Sequence, residues 1–289
     1  MSTILVTGGA GFIGSHLCEA LIGQGHAVIS LDNYFTGTKA NHIKGPDYRE
    51  GHTKDISKLV SETPDIVYHL GEYSRTAVAI EEPDVVLDLN ITGTAAVLEF
   101  CRTKKCKLIY AGSSTKFSTT RPDGTTGPGL SPYTWSKAVN TDLISKYADW
   151  YGIEYATVYF NNVYGPRELS GKYGTAIAIF KEKYLQGKPL PVNKPGTQKR
   201  RYTHVADTIS ALLLVGEKGS GDGYSIASDD DYSTRDMAEL FETDIEMKPE
   251  RKTSRPSADV DTSKIKNLGW EQKHNLKSHI KEFLSDNSR

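Results

Sequence analysis

The sequence predicts an α/β fold in which a doubly wound parallel sheet is followed by a smaller, less regular C-terminal lobe. Two observations indicate this fold: short, nearly continuous apolar runs alternate with longer amphipathic segments, and a glycine-rich turn joins the first run to the first amphipathic segment. Strands with few polar residues are typical of parallel sheets that helices cover on both faces. Alternation of such strands with helices indicates right-handed crossovers, which build a doubly wound sheet.

Apolar runs in the first half of the chain predict four strands, at residues 4–7, 27–31, 65–70 and 107–110. Helical periodicity covers residues 12–22, 85–101 and 133–151. Beyond residue 165, glycine and proline interrupt the pattern, and shorter helices are predicted near 176–186, 207–215, 234–241 and 277–284. We therefore predict one domain over residues 1–165 and a smaller lobe over 166–289, with some of the later chain crossing back to the sheet.

The composition excludes several classes of protein. The chain has 289 residues, of which 37% are hydrophobic and 25% charged, and its net charge is -1. This balance argues against a nucleic-acid binder that relies on overall charge, the apolar runs are too short to cross a membrane, and we expect no signal peptide. Cys18, Cys101 and Cys106 lack the spacing of metal ligands, so we predict no metal site and expect buried free thiols in a reducing cytoplasm.

A glycine-rich turn, Thr-Gly-Gly-Ala-Gly-Phe-Ile-Gly, spans residues 7–14 between the first strand and the first helix. Without Cβ atoms the backbone of a tight turn can approach a pyrophosphate, and the helix N-terminus offers free N–H groups and a partial positive charge. Glycine clusters also make ordinary turns, so the flanking strand and helix carry the argument. We predict a dinucleotide site of the Rossmann type that includes Gly8, Gly11, Phe12, Ile13 and Gly14.

An acidic residue, Asp32, stands at the end of the second predicted strand. A carboxylate at this position can accept both ribose hydroxyls of an adenosine, and it repels a 2′-phosphate. The expected cofactor is therefore NAD rather than NADP.

A tyrosine and a lysine, Tyr133 and Lys137, lie one helical turn apart on one face of a predicted helix. A nearby ammonium favours the phenolate form of tyrosine, which can then act as a general base on a sugar hydroxyl. This spacing alone is common on solvated helices. Downstream of a dinucleotide turn and of Ser113 at a strand end, it becomes specific, and we predict Ser113, Tyr133 and Lys137 as the catalytic residues.

Together these motifs resemble the extended short-chain dehydrogenase/reductase family, specifically its NAD-dependent nucleotide-sugar epimerases and dehydratases of the UDP-glucose 4-epimerase type. The resemblance covers nearly the whole chain and implies that residues 166–289 bind the substrate. It also implies further NAD contacts in four segments: the ribose-binding residues after Asp32, an adenine-contacting pair, the end of the fourth strand, and a position beside the nicotinamide. In this sequence they are Asn33, Thr36, Gly37, Asp55, Ile56, Leu70, Gly71 and Phe160, together with Tyr133 and Lys137.

The same resemblance implies residues that bind the substrate. Asn162 matches an asparagine that faces the substrate diphosphate, and Arg200 and Arg251 match two arginines that grip it, with Arg255 as the alternative to Arg251. Two arginines suit a diphosphate because their bidentate donors match a strongly acidic group. The other expected substrate-binding residues are Glu72, Tyr73, Arg75 and Ser114.

The sequence departs from the family pattern at two places. Ser114 and Thr115 occupy the positions of the Asp-Glu pair with which the 4,6-dehydratases eliminate water, which argues against a dehydratase. Glu72 and Tyr73 follow the fourth strand, where small or amide residues are usual. They are either an additional acid/base pair or residues that shape specificity.

The leading functional hypothesis is an NAD-dependent nucleotide-sugar 4-epimerase of carbohydrate biosynthesis that acts through a transient 4-keto sugar. The alternative is a dehydrogenase that releases the 4-keto sugar and NADH, and a third reading is a non-catalytic NAD-binding scaffold. The expected substrate is a UDP- or GDP-linked sugar, with no nucleic-acid or membrane partner. The resemblance also implies a homodimer formed by the helices at 85–101 and 133–151.

Overall fold

The protein was analysed as a computed structural model that describes residues 1–117, 120, 124–251 and 260–287. Among the described residues, none of the helices has the length and apolar character needed to cross a membrane. The strands are β1 (Thr3–Thr7), β2 (Ala27–Asp32), β3 (Asp47–Glu50), β4 (Ile66–His69), β5 (Lys107–Ser113), β6 (Tyr155–Phe160), β7 (Val163–Tyr164), β8 (Leu190–Asn193), β9 (Lys199–Arg201), β10 (Thr203–His204), β11 (Gly221–Ile226), β12 (Asp231–Ser233) and β13 (Ile245–Lys248). The α-helices are α1 (Phe12–Gly23), α2 (Ile56–Leu59), α3 (Pro83–Leu87), α4 (Gly93–Lys104), α5 (Pro132–Tyr151), α6 (Ala176–Leu185), α7 (Val205–Lys218), α8 (Thr234–Glu239), α9 (Ser263–Lys266) and α10 (Leu276–Asp286).

Seven parallel strands form the central sheet in the order β11-β6-β5-β4-β1-β2-β3. The strand order reverses between β1 and β4, and in doubly wound sheets the crevice at this switch point binds the ligand. The predicted α/β fold with a doubly wound parallel sheet is confirmed. The sheet includes three strands that the sequence analysis does not predict, β3, β6 and β11.

Side chains that alternate along β1 build a core on each face of the sheet. Ile4 and Val6 pack with residues of α1 and α7, whereas Leu5 packs with residues of α2, α4 and α5. All three side chains are buried, as expected for a central strand covered by helices on both faces. The strand ends therefore hold fixed positions at the edge of the sheet where the glycine-rich turn begins.

Residues beyond β6 divide between the sheet and a second core. Helix α7 and strand β11 return to the central sheet, and Trp270 joins the core on the α1 face. The second core collects buried side chains from β8, α6, α8 and α10, including Phe180 and Phe241. Three two-stranded sheets, β7 with β10, β9 with β12 and β8 with β13, frame this smaller lobe.

Candidate active site

A cavity of about 810 Å³ lies at the carboxyl ends of the central strands, between the sheet and the smaller lobe. Its sheet side consists of the glycine-rich turn, the residues after β2, the end of β4 and the end of β5. Its other side consists of residues from α6, β8 and the loops around β9 and β13. The cavity thus occupies the topological switch point of the sheet.

The glycine-rich turn has the geometry that a pyrophosphate requires. Gly8 has a φ of +73°, and a Cβ atom there would lie 2.9 Å from the Gly71 backbone. A Cβ atom on Gly14 would lie 2.1 Å from the Gly8 carbonyl oxygen, so both positions exclude a side chain. Helix α1 begins after Gly11 without a side-chain cap and without an acidic residue in its first turn. Its first N–H groups can therefore bind an anion.

Asp32 lies at the end of β2, and its carboxylate is held by two backbone N–H groups. Ala10 donates to one oxygen (2.9 Å) and Tyr34 to the other (2.8 Å). Burial raises the pKa of this carboxyl above its ordinary value, although the two hydrogen bonds oppose the shift. A Cβ atom on Gly37 would lie 2.8 Å from the carboxylate, so a glycine is needed beside it. Each oxygen keeps lone pairs for ribose hydroxyls, and the residues present fit a dinucleotide.

Tyr133 and Lys137 lie in the first turns of α5, whose start is fixed by a capping box. The Ser131 hydroxyl accepts from the Thr134 N–H (3.3 Å), and the Thr134 hydroxyl accepts from the Ser131 N–H (2.9 Å). Ser113, the last residue of β5, lines the same cavity as Tyr133 and Lys137. The structure therefore brings the three residues predicted to be catalytic to one cavity.

Lys137 forms a buried ion pair with Glu72. The side chains are 6% and 1% exposed, respectively, and the Lys137 ammonium donates to a Glu72 carboxylate oxygen. A second ammonium hydrogen goes to the carbonyl oxygen of Ala111 (2.6 Å). An ammonium has three donors, so one remains for a ligand in the cavity.

The other oxygen of Glu72 accepts three neutral donors. They are the hydroxyl of Thr94 (2.8 Å), the amide of Asn140 (2.9 Å) and the hydroxyl of Tyr110 (3.2 Å). Because both oxygens accept hydrogen bonds within the protein, and one of them accepts from the buried ammonium, Glu72 is a structural counter-ion of Lys137. The placement of Glu72 therefore argues against a role as one member of an additional acid/base pair.

A chain of hydrogen bonds continues from Glu72 to the glycine-rich turn. Because the Thr94 hydroxyl donates to Glu72, it accepts from His69 Nε2 (3.0 Å), which leaves His69 Nδ1 to accept from the Thr7 hydroxyl (2.7 Å). Thr7 in turn accepts from the Gly71 N–H (3.0 Å). Burial lowers the pKa of His69 to about 4, so the ring is neutral at pH 7. The chain links the ion pair to the residues that shape the dinucleotide turn.

Most of the predicted site residues line the cavity. On the cofactor side these are Gly8, Gly11, Phe12, Ile13, Gly14, Asp32, Asn33, Thr36, Gly37, Leu70, Gly71, Tyr133, Lys137 and Phe160. On the substrate side they are Glu72, Arg75, Ser114, Asn162, Arg200 and Arg251. Arg255 lies outside the described residues.

Three predicted residues do not line the cavity. Tyr73 is 2% exposed and donates its hydroxyl hydrogen to Glu82 (2.9 Å), so it is directed away from the expected sugar position. Ile56 is fully buried in the core beneath α4, and Asp55 pairs with Lys58 at the surface. The placement therefore does not support the roles that the resemblance implies for them.

Sequence reasoning missed much of the wall that the smaller lobe contributes. This wall includes backbone and side chains from five separate segments, whose residues carry no local motif. Examples are Leu169, Lys172, Thr175, Phe180, Pro191, Asn193, Gln198, Tyr202 and Thr234. Phe35 and Thr76 on the sheet side were missed as well, although both are close in sequence to predicted residues.

We expect Glu72→Ala to lower the free energy of unfolding by about 3–5 kcal/mol, because it leaves the Lys137 ammonium buried without a counter-charge. Urea unfolding of the protein without ligands measures the change. The double variant Glu72→Ala/Lys137→Met is the control, and it should recover part of the loss because no unpaired charge remains. A loss below about 1 kcal/mol in Glu72→Ala would contradict a buried ion pair.

We expect Asp32→Asn to narrow the preference for NAD over NADP by about tenfold or more, because it removes the charge that repels a 2′-phosphate. The dissociation constants of the two dinucleotides, measured by calorimetry, give the preference. Asp286→Asn, an exposed residue near the chain end, should leave it unchanged. An unchanged preference in Asp32→Asn would place the ribose elsewhere.

Comparisons with known proteins agree with this geometry. The profile of the NAD dependent epimerase/dehydratase family matches residues 4–227. A putative UDP-glucose 4-epimerase of Methanocaldococcus jannaschii is 30% identical over 98% of this chain and 97% of that protein. UDP-glucuronic acid decarboxylase 6 of Arabidopsis thaliana is 31% identical over 96% of this chain and 86% of that protein.

Among solved structures, the UDP-glucose 4-epimerase of Thermotoga maritima, determined with UDP-glucose, superposes with a TM-score of 0.88. It is 28% identical, and the match covers 99% of this chain and 100% of that one. The resemblance inferred from the motifs is confirmed, as is NAD as the cofactor. The chain belongs to the NAD-dependent epimerase/dehydratase family of extended short-chain dehydrogenases/reductases, and it is an enzyme.

Proposed function

We propose that this enzyme is a nucleotide-sugar 4-epimerase that works through a transient 4-keto sugar. The observation that carries the proposal is the convergence of Ser113, Tyr133 and Lys137 on one cavity with the glycine-rich turn and Asp32. The relatives and structural neighbours named as UDP-glucose 4-epimerases support a sugar nucleotide as the substrate.

The roles of the three residues follow from their chemistry. The phenolate of Tyr133 takes the proton of the sugar 4-hydroxyl, and the Ser113 hydroxyl holds that oxygen by a hydrogen bond. Lys137 has one donor left to orient a ribose hydroxyl, because Glu72 and Ala111 take the others. NAD, when bound, supplies the reversible two-electron acceptor that oxidation at C4 requires. Tyr133 then returns its proton to the same oxygen after the keto sugar has turned its other face.

The diphosphate of the substrate is the axis about which the keto sugar turns. We assign its binding to Arg200, Arg251 and Asn162, all of which line the cavity. Asn162 is fixed by a hydrogen bond from its amide to the Arg201 carbonyl (2.9 Å). Burial lowers the pKa of Arg200, and a bound diphosphate would offset that desolvation.

Elimination of water from the sugar has little support in this cavity. Ser114 and Thr115 stand where a dehydratase would place its acid and base, and both carry hydroxyls. The carboxylates of the described lining are those of Asp32 and Glu72, and both accept hydrogen bonds from the protein. The described lining therefore offers no free carboxyl group to protonate a leaving hydroxide.

Incubation with NAD and a panel of UDP- and GDP-linked sugars tests the proposal. We expect the proton NMR spectrum to show a new C4 epimer, while the absorbance of the solution shows no accumulation of NADH. A keto product that appears with an equivalent of NADH would instead identify a dehydrogenase.

Tyr133→Phe should lower turnover by about 10²–10⁴-fold and keep NAD binding, because it removes the general base.

Tyr151→Phe is the matched control for this loss. Tyr151 is an exposed tyrosine at the far end of the same helix, outside the cavity. The same change of side chain there should leave turnover within about twofold. If Tyr133→Phe also kept full turnover, the proton transfer would have to be assigned to another group.

We further propose that the enzyme acts as a homodimer in a reducing cytoplasm. Large apolar side chains are exposed on α3 and α5: Leu87 is 40%, Trp135 49% and Trp150 59% exposed. Two exposed tryptophans on one helix, beside an exposed leucine on a neighbouring helix, are typical of protein interfaces. The three cysteines are buried free thiols, which suits a reducing compartment.

Light scattering after size exclusion measures the assembly. We expect a mass of about twice 31.8 kDa for the wild type. Leu87→Glu/Trp135→Glu should lower it toward the monomer, because charges would be buried in the interface. Met247→Glu, at an exposed apolar residue of β13, is the control and should keep the dimer. A wild-type monomer at high concentration would refute the proposed interface.

A further inference from the structure

Arg75, in the loop between β4 and α3, lines the cavity and is held by neutral groups. Its Nε donates to the Tyr173 carbonyl (2.5 Å), and its Nη1 donates to the carbonyl (3.1 Å) and hydroxyl (3.4 Å) of Ser74. The Nη2 hydrogens have no acceptor among the described residues. The guanidinium is therefore held through Nε and Nη1, and its Nη2 hydrogens are left for a ligand.

No carboxylate among the described residues forms an ion pair with Arg75. Glu72 in the same lining is committed to Lys137. The buried Glu168 influences Arg75 electrostatically, but its oxygens accept from the Gly165 N–H (2.7 Å) and from the Thr175 hydroxyl. The Arg75 side chain is half-buried, and burial lowers the pKa of its guanidinium. A cation in this state is stabilised by an anionic ligand.

The position of Arg75 points to the sugar rather than to the diphosphate. Its Nε donates to the carbonyl of Tyr173, and Tyr173 packs against the buried cluster that contains Tyr133, the residue assigned to proton transfer. Arg200 lies instead on β9, which pairs with β12 in the smaller lobe. The two arginines thus serve different parts of the ligand.

We propose that Arg75 binds a carboxylate carried by the sugar ring of the substrate, so that the enzyme acts on acidic nucleotide sugars such as nucleotide-linked uronic acids. The inference rests on the proposed function, because it assumes that a nucleotide sugar fills the cavity. The positive charge and the Nη2 hydrogens of the guanidinium favour a charged carboxylate over a neutral hydroxyl, because a charge-assisted hydrogen bond is the stronger one.

Calorimetric titration of the NAD-loaded enzyme with UDP-glucuronic acid and UDP-glucose tests the inference, since these ligands differ in having a carboxylate or a hydroxymethyl group on C5. We expect the wild type to bind UDP-glucuronic acid at least about tenfold more tightly. In Arg75→Met that ratio should fall to about one, and in Arg75→Lys it should be intermediate, because the charge remains but the fork is lost. UDP-N-acetylmuramic acid, whose carboxylate is on a lactyl arm, distinguishes a ring carboxylate from a more distant one.

Arg235→Met is the matched control, because its guanidinium pairs with Glu239 on the exposed face of α8 and lies outside the cavity. It should leave the ratio of the two affinities unchanged. Three results would overturn the inference. They are a wild-type affinity ratio near one, tighter binding of UDP-N-acetylmuramic acid than of UDP-glucuronic acid, and an equal loss of affinity for both sugars in a folded Arg75→Met variant. Binding is read without turnover, so absence of epimerisation would refute the proposed function while the affinities still decide the role of Arg75.

Discussion

The ion pair between Glu72 and Lys137 joins the end of β4 to the first turns of α5, and the shape of the reaction centre depends on it. Both side chains are almost fully buried, so each charge is tolerated inside the protein because the other is present. The carbonyl of Ala111 on β5 accepts a second ammonium hydrogen and fixes the direction of the side chain. Three elements that are distant in sequence are thereby held together, with Tyr133 on the cavity side of the helix.

This pair also changes what Lys137 can contribute. Small or amide residues are usual at the position of Glu72 in the enzymes that the sequence resembles, and such residues leave the ammonium charge to the ligands. Here a carboxylate balances that charge within the protein, so Lys137 acts toward the cavity as an oriented hydrogen-bond donor. The hydrogen-bond chain through Thr94, His69 and Thr7 then connects this donor to the glycine-rich turn. The position of the Lys137 ammonium and the shape of the glycine-rich turn are therefore coupled through hydrogen bonds.

Features that reside in one short segment could be predicted from the sequence. The glycine-rich turn, Asp32 and the Tyr133–Lys137 spacing depend on local geometry, and the structure brings all of them to the cavity. Strand β6 carries the β-branched and aromatic residues that are typical of a strand, whereas β3 is polar and β11 contains two glycines, so these two have no clear strand pattern. The wall of the smaller lobe could not be predicted, because distant segments meet there through tertiary packing around Phe180 and its neighbours.

The distribution of charge in the cavity limits which ligands it can accept. The two carboxylates of its described lining are neutralised or fixed by the protein, whereas its arginines come from both the sheet side and the smaller lobe. Opposed cationic walls repel each other unless anionic groups lie between them. In the proposed complex the phosphates of the dinucleotide lie at the glycine-rich turn and those of the nucleotide sugar lie at the lobe, and the guanidinium of Arg75 remains beside the sugar. A substrate whose sugar also carries a negative charge completes that arrangement, since it balances the charge of Arg75.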